Sequence, residues 1–160
     1  MSPTLSALLG SAAFLLAAAA DAQPTGGPDP SPGLSPEDVV RIQVEALQRN
    51  DEPAPDAGIE AAFRFASPSN RAATGPLGRF SRMIREGYGD MLGFRRAEYG
   101  PMRVEGGRAV QAVTLIQPDG ARSTYAFALS RQEGGPYDGC WMTDGVVRQP
   151  ATGTNGLRRA

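Results

Sequence analysis

The second half of the chain alternates between short apolar runs and turn sequences. Four segments with strand-like patterns occupy residues 95–148, and glycine-rich turns at 105–107, 118–120 and 134–136 separate them. Large and small side chains alternate through residues 124–129, so one face of that strand carries the large residues. This succession predicts an antiparallel meander of four strands.

The region before the strands has helical periodicity. Ser35 is predicted to cap the first helix, with Pro36 in the first helical position. A second helix is predicted to begin near Asp56 and to end at Ser67-Pro68, and a third to begin near Pro76. The apolar stripe of the third helix consists of Leu77, Phe80, Ile84, Tyr88 and Met91.

Two breaks refine this architecture. Residues 69–71 predict a short turn or helical bend between the second and third helices. Gly100-Pro101 interrupts the first strand, and a proline there predicts an edge position or a bulge that bends the sheet. We therefore expect an α+β domain, in which three N-terminal helices pack on a curved four-stranded antiparallel meander and enclose a cone-shaped cavity.

The two ends of the chain differ from this domain. Residues 1–22 predict a signal peptide cleaved after Ala22, because a short apolar run ends at an Ala-x-Ala pattern. Retention of the run as an uncleaved anchor is the alternative. A Pro- and Gly-rich disordered linker over 23–34, the domain over 35–149 and a disordered tail over 150–160 follow. This organisation predicts an exported protein, periplasmic or secreted, with no stable membrane insertion after cleavage.

Composition excludes several classes of function. Cleavage removes Asp21, so the acidic count falls from 17 to 16 and equals the 16 basic residues, which argues against nucleic-acid binding. The chain has no His, the commonest metal ligand and neutral-pH acid–base catalyst. Cys140 is the only cysteine, and its strand context predicts a buried, unreactive thiol. We expect no metal and no cofactor.

Several segments resemble a known family. They are Ser35-Pro36-Glu37, residues 63–68, residues 80–88, residues 111–115 and the closing Trp141. Together they are similar to the bacterial domain-of-unknown-function family 4864, over about residues 35–149. The resemblance implies a fold like that of nuclear transport factor two and the ketosteroid isomerases, and it implies no activity.

One segment and one single residue depart from the pattern of that family. Residues 50–58 are longer and richer in proline, and Thr143 stands where an aliphatic residue is more usual after the tryptophan. Both departures leave the implied fold intact, but they are expected to change the rim of the cavity.

The aromatic residues of the helices and strands are the candidate pocket lining. We expect the gap between helices and sheet to be lined by Phe63, Phe80, Tyr88, Phe127 and Trp141. If Trp141 faces the core, strand alternation turns Asp144 away from it, together with Met142 and Val146. A basic rim for a carboxylate or phosphate is a further interpretation, and it would use Arg71, Arg85, Arg95 and Arg96.

Three hypotheses of function follow. The first is a non-catalytic binding or accessory module with an apolar pocket for a small apolar ligand. The second is an isomerase- or cyclase-like enzyme that uses a carboxylate and a tyrosine, although no catalytic residue is assigned and the missing residue types favour a protein that is not an enzyme. The third is a homodimer or protein-interaction domain that associates through the sheet, where Ala126 and Ala128 leave a flat face.

Overall fold

The computed structural model describes residues 27–151 and contains an α+β domain, as predicted. The helices are α1 Pro36–Gln48, α2 Ala57–Arg64, α3 Pro68–Thr74 and α4 Leu77–Gly87. The strands are β1 Arg96–Tyr99, β2 Arg103–Glu105, β3 Arg108–Ile116, β4 Arg122–Arg131 and β5 Trp141–Arg148. Short 3₁₀ helices cover Gly89–Met91 and Gly135–Tyr137.

The sequence predicts three helices, and this part of the chain has four. The predicted turn or helical bend at 69–71 lies inside α3. The preceding helix already ends at Arg64, and the Ser67-Pro68 pair that was predicted to end it starts a new helix instead. The Ser67 hydroxyl accepts a hydrogen bond from the Asn70 amide at 3.2 Å, and Pro68 takes the first helical position. The predicted start of α1 agrees with the structure, since Ser35 and Asp38 form a reciprocal capping box.

The strand count also differs from the prediction of four. The break at Gly100-Pro101 divides the first predicted strand into β1 and β2, and both pair with β3. All pairings are antiparallel, and the sheet order is β1-β3-β4-β5, with β2 beside β3. At the free edge of β5, Thr143 forms a parallel bridge with Ala66, which immediately precedes α3.

The helices cover one face of the sheet, which we call the inner face. Alternate residues of β3 and β4 point there and are almost fully buried: Val113, Leu115, Tyr125, Phe127 and Leu129. Val39, Val40 and Val44 of α1 join the same core. Close packing of α1 on α2 requires Gly58, because a Cβ there would lie 2.1 Å from the carbonyl oxygen of Ala46.

The opposite, outer face of the sheet is open to solvent. Its central residues are small or β-branched and lie side by side on three strands: Val110, Ala112, Ala126, Ala128 and Val147. Val110 is 47% exposed and Val147 is 62% exposed, so no element within residues 27–151 covers this patch.

The ends of the described region touch the domain. Leu34, the last residue of the predicted linker, packs against the core, and Asp29 lies 3.4 Å from the Arg64 side chain. The predicted signal peptide and most of the predicted tail lie outside the described residues. None of the helices in residues 27–151 has the length and apolarity needed to cross a membrane.

Candidate functional site

A cavity of about 270 Å³ opens between the helices and the inner face of the sheet. We call it the inner pocket. Its apolar walls come from α1, α4 and β4, with the short chain after α4 closing one side: Leu47, Phe80, Met83, Ile84, Met91 and Phe127. Only a few polar groups enter it, which is the composition of a typical small-molecule site.

A wider cleft of about 660 Å³ lies on the solvent side of α1 and α2. Its lining mixes the charged side chains of Glu45, Arg49, Glu60 and Arg64 with proline and glycine. This cleft is more open, and charged side chains interrupt its apolar lining. The inner pocket is therefore the better candidate site.

The five predicted lining residues separate into two groups. Phe80, Tyr88 and Phe127 line the inner pocket. Phe63 instead packs on the ring of Phe80, with 5.1 Å between the ring centroids, and Trp141 packs half-buried against the core beyond the pocket. The predicted set thus contains three wall residues and two residues that support the walls.

The floor of the pocket holds a buried polar pair that the sequence reasoning missed. The Thr143 hydroxyl donates to Oε1 of Gln43 at 2.6 Å, and Nε2 of Gln43 donates to the carbonyl oxygen of Ala62 at 2.9 Å. Both side chains are almost fully buried. Gln43 lies within the apolar stripe of α1, between Val40 and Leu47, and a glutamine inside such a stripe was the available signal.

A β-bulge in β5 overturns the predicted facing of Asp144 and Val146. Leu129 pairs with Thr143 and Ala128 with Gly145, so Asp144 is an extra residue without a partner on β4. Alternation restarts after the bulge, and Val146 therefore packs on the inner face rather than the outer one. Asp144 is exposed and contributes to the pocket lining, so it stands at the mouth.

Met142 keeps the register that alternation predicts, opposite Ser130 of β4. It was expected to face away from the core, yet it is 0% exposed. The adjacent edge of β5 is hydrogen-bonded to the chain before α3, since the Thr143 amide donates to the carbonyl oxygen of Phe65 and the Thr143 carbonyl oxygen accepts from the Ser67 amide. Neighbouring Cys140 is also buried, and burial raises the pKa of its thiol, as expected for an unreactive cysteine.

The mouth also carries Asn70 and Thr74 of α3. Nδ2 of Asn70 donates to the carbonyl oxygen of Thr143 at 3.0 Å, and the Thr74 hydroxyl donates to the carbonyl oxygen of Asn70 at 2.9 Å. Oδ1 of Asn70 accepts no hydrogen bond from residues 27–151. Tyr88 lies on the same pocket, and its hydroxyl likewise has no protein partner in that range.

The far end of the inner face is closed by a charged cluster. The carboxylate of Asp90 accepts hydrogen bonds from the Tyr125 hydroxyl and the Arg148 guanidinium. Burial pushes the pKa of Asp90 upward, but hydrogen bonds from Ser123 and Tyr125 and the charge of Arg148 outweigh it and lower that pKa. Burial and the adjacent carboxylate raise the pKa of Tyr125, so its hydroxyl stays a donor. Asp90, Tyr125 and Arg148 therefore meet their hydrogen-bonding needs within this cluster.

The predicted basic rim does not form. Arg71 donates to Tyr137 and to the carbonyl oxygen of Arg64, and it lies between the rings of Phe63 and Tyr137. Arg85 pairs with Asp56, Arg96 pairs with Glu98, and Arg95 is exposed. None of these four arginines lines the inner pocket.

No group of three or more metal-ligating side chains occurs within residues 27–151. What the inner pocket offers is shape, apolar surface and a polar mouth.

A family model described as "Domain of unknown function (DUF4864)" matches residues 34–155, which is most of the chain. No curated protein matches the chain, and no solved structure does.

Proposed function

The chain belongs to the DUF4864 family, whose description assigns no activity, and we propose from its geometry that it is a non-catalytic module that binds a small apolar ligand. The observation that carries the proposal is the inner pocket, an apolar cavity of about 270 Å³ with a buried polar floor and an open mouth. Ligand pockets of drug-sized molecules measure about 300–1,000 Å³, so the expected ligand is smaller than most drugs.

The polar pair at the floor of the pocket favours a binding function over a catalytic one, because its hydrogen bonds are already made within the protein. The amide of Gln43 does not titrate, and the Thr143 hydroxyl already donates its proton to that amide, so this pair offers no acid or base. Tyr88 and Asp144 do line one pocket, which is the pairing that an isomerase-like enzyme would need. Asp144, however, is exposed at the mouth, and a hydrated carboxylate is poorly suited to abstract a proton inside a dry cavity.

A plugging variant tests the proposal. Ala73 lines the mouth from α3 and is exposed, whereas its neighbour Ala72 is exposed and does not line the pocket. A thermal-shift screen of the purified protein against small lipids, sterols and aromatic compounds should give ligands that raise Tm. Ala73→Phe should abolish these shifts and Ala72→Phe should retain them. Absence of any ligand, or equal shifts in both variants, would contradict the proposal.

Self-association through the outer face is a second candidate function. The apolar patch of Val110, Ala112, Ala126, Ala128 and Val147 is contiguous across three strands and carries no large side chain, which suits a sheet-to-sheet contact. Sedimentation equilibrium up to high micromolar concentration should detect a dimer. Ala126→Arg at the centre of the patch should dissociate it, and Ala72→Arg on α3 should not. A monomer at every concentration would contradict self-association through the outer face.

Two further parts of the proposal concern export and shape. The apolar run before Ala22 supports export with cleavage after that residue, which N-terminal sequencing of the exported protein would test. The bulge at Asp144 and the break at Gly100-Pro101 both bend strands, which supports a curved, cone-like sheet of the nuclear-transport-factor-two type. An experimental structure with a flat sheet would contradict that shape.

A further inference from the structure

The charges around the inner pocket have one sign. Among its lining residues Asp144 is the only acidic one, and no arginine lines it. The other acids beside the core are neutralised by arginine: Asp56 by Arg85 and Asp90 by Arg148. Asp144 forms no ion pair and no hydrogen bond with any side chain of residues 27–151. The mouth therefore carries an uncompensated negative charge.

The neutral polar groups at the mouth reinforce this bias. Nδ2 of Asn70 is directed to the Thr143 carbonyl oxygen, which leaves Oδ1 as a free acceptor. The hydrogen of the Thr74 hydroxyl is already donated within α3. The Tyr88 hydroxyl can donate or accept, but the other polar side chains at the mouth offer acceptors, so an ammonium group finds more partners here than a carboxylate does.

We propose that the inner pocket selects small apolar molecules that carry a protonated amine, with the ammonium group at Asp144 and Asn70 and the hydrocarbon among Phe80, Met83 and Phe127. This inference rests on the proposed binding function and specifies its ligand class. An ammonium group supplies donors and a positive charge, whereas a carboxylate supplies neither and is repelled by Asp144.

Three probes that share one phenyl ring separate charge from apolar burial. They are 2-phenylethylamine, 2-phenylethanol and 3-phenylpropionate, each titrated calorimetrically into the purified protein at pH 7 and low salt. The amine should bind about tenfold more tightly than the acid, with the alcohol between them, because the exposed carboxylate of Asp144 attracts the ammonium group and repels the acid only modestly. High salt should reduce the difference between the affinities for the amine and for the acid.

Asp144→Asn should remove most of the preference for the amine, since it deletes the charge and leaves the size of the side chain unchanged. Glu133→Gln is the matched control, because it changes net charge equally at an exposed residue that does not line the pocket. That control should keep the wild-type order of affinities.

The outcomes distinguish this inference from the proposed function. Binding of the acid as tightly as the amine, or an amine preference that survives in Asp144→Asn, would overturn the ligand class while leaving a binding pocket. Binding of none of the three probes, with no hit in the wider thermal-shift screen, would overturn the proposed function and the amine preference together.

Discussion

The two faces of the sheet are built from alternate residues of the same strands, yet they meet different surroundings. On the inner face, Tyr125, Phe127 and Leu129 are almost completely buried by the helices. On the outer face of the same strand, Ala126 and Ala128 are small, and Ala128 is exposed. Large residues therefore mark the face that the domain covers by itself. Small residues mark the face on which a second protein surface could lie flat.

The inner face is itself divided into a closed end and an open end. At the closed end Asp90, Tyr125 and Arg148 satisfy one another. At the open end the buried pair Gln43–Thr143 is satisfied, but Asp144 above it is not. An acid with partners holds a fold together, whereas an acid without partners at a pocket mouth is available to a ligand. Asp144, and not Asp90, is therefore the acid that a ligand can bind.

Truncation of the inner face should have the largest effect on stability. Leu129→Ala should lower the free energy of unfolding by about 2–5 kcal/mol, because it leaves a cavity at a residue that is 2% exposed. Urea unfolding followed by tryptophan fluorescence would measure the change. Val110→Ala on the outer face is the control, with a loss within about 0.5 kcal/mol. Equal losses would mean that the two faces are equally covered.

The polar floor should show an effect of intermediate size. Thr143→Val removes the donor to Gln43 and leaves a buried amide oxygen unsatisfied, which should cost about 1–3 kcal/mol. The double variant Thr143→Val with Gln43→Leu removes the bond between the two side chains and should recover part of that loss. Recovery would be incomplete, because the carbonyl oxygen of Ala62 loses Gln43, one of its two donors, and keeps only the Phe65 amide. Strictly additive losses in the two-variant cycle would exclude a coupled pair.

Apart from α3, whose Ser67-Pro68 start is a local signal that was interpreted as a helix end, the parts of the fold that depend on neighbouring residues were predictable and those that depend on distant partners were not. The start of α1 follows from Ser35, Pro36 and Asp38, which lie within one turn. The Gln43–Thr143 pair joins residues 100 positions apart, so the apolar stripe of α1 can mark Gln43 as unusual but cannot indicate its partner. The sequence departure at Thr143 was visible, but its buried partner on α1 was not.

The residues of the candidate site divide in the same way, into those that a local pattern predicts and those that it does not. Phe80, Tyr88 and Phe127 were predicted from stripes and alternation, which are periodic signals. The position of Asp144 depends on a bulge, where one residue of β5 has no partner on β4. A bulge shifts every later residue to the other face, so strand alternation alone misassigned Val146.

Asp90, at the closed end of the inner face, should make a smaller and pH-dependent contribution to the free energy of unfolding. Because the pKa of Asp90 is lowered in the folded protein, its contribution should be fully present above the ordinary value of 3.8 and lost as the pH falls through the lowered value. Asp90→Asn should therefore be about 1 kcal/mol less stable than wild type at pH 7, with the gap closing below about pH 4. Denaturant unfolding of both proteins from pH 7 to pH 2 tests this. A gap that widens in acid would reverse the sign.

The smallest effect should belong to the outer face. Val147→Thr keeps a β-branched side chain at a residue that is 62% exposed, so it should change the free energy of unfolding by less than about 0.5 kcal/mol. The measurement should be repeated at low and at high micromolar protein concentration, because a dimer couples stability to concentration. A loss near zero in dilute solution that grows with concentration would mean that a second copy covers the outer face. A large loss at every concentration would mean that the protein itself covers Val147, and the contrast between the two faces would then be wrong.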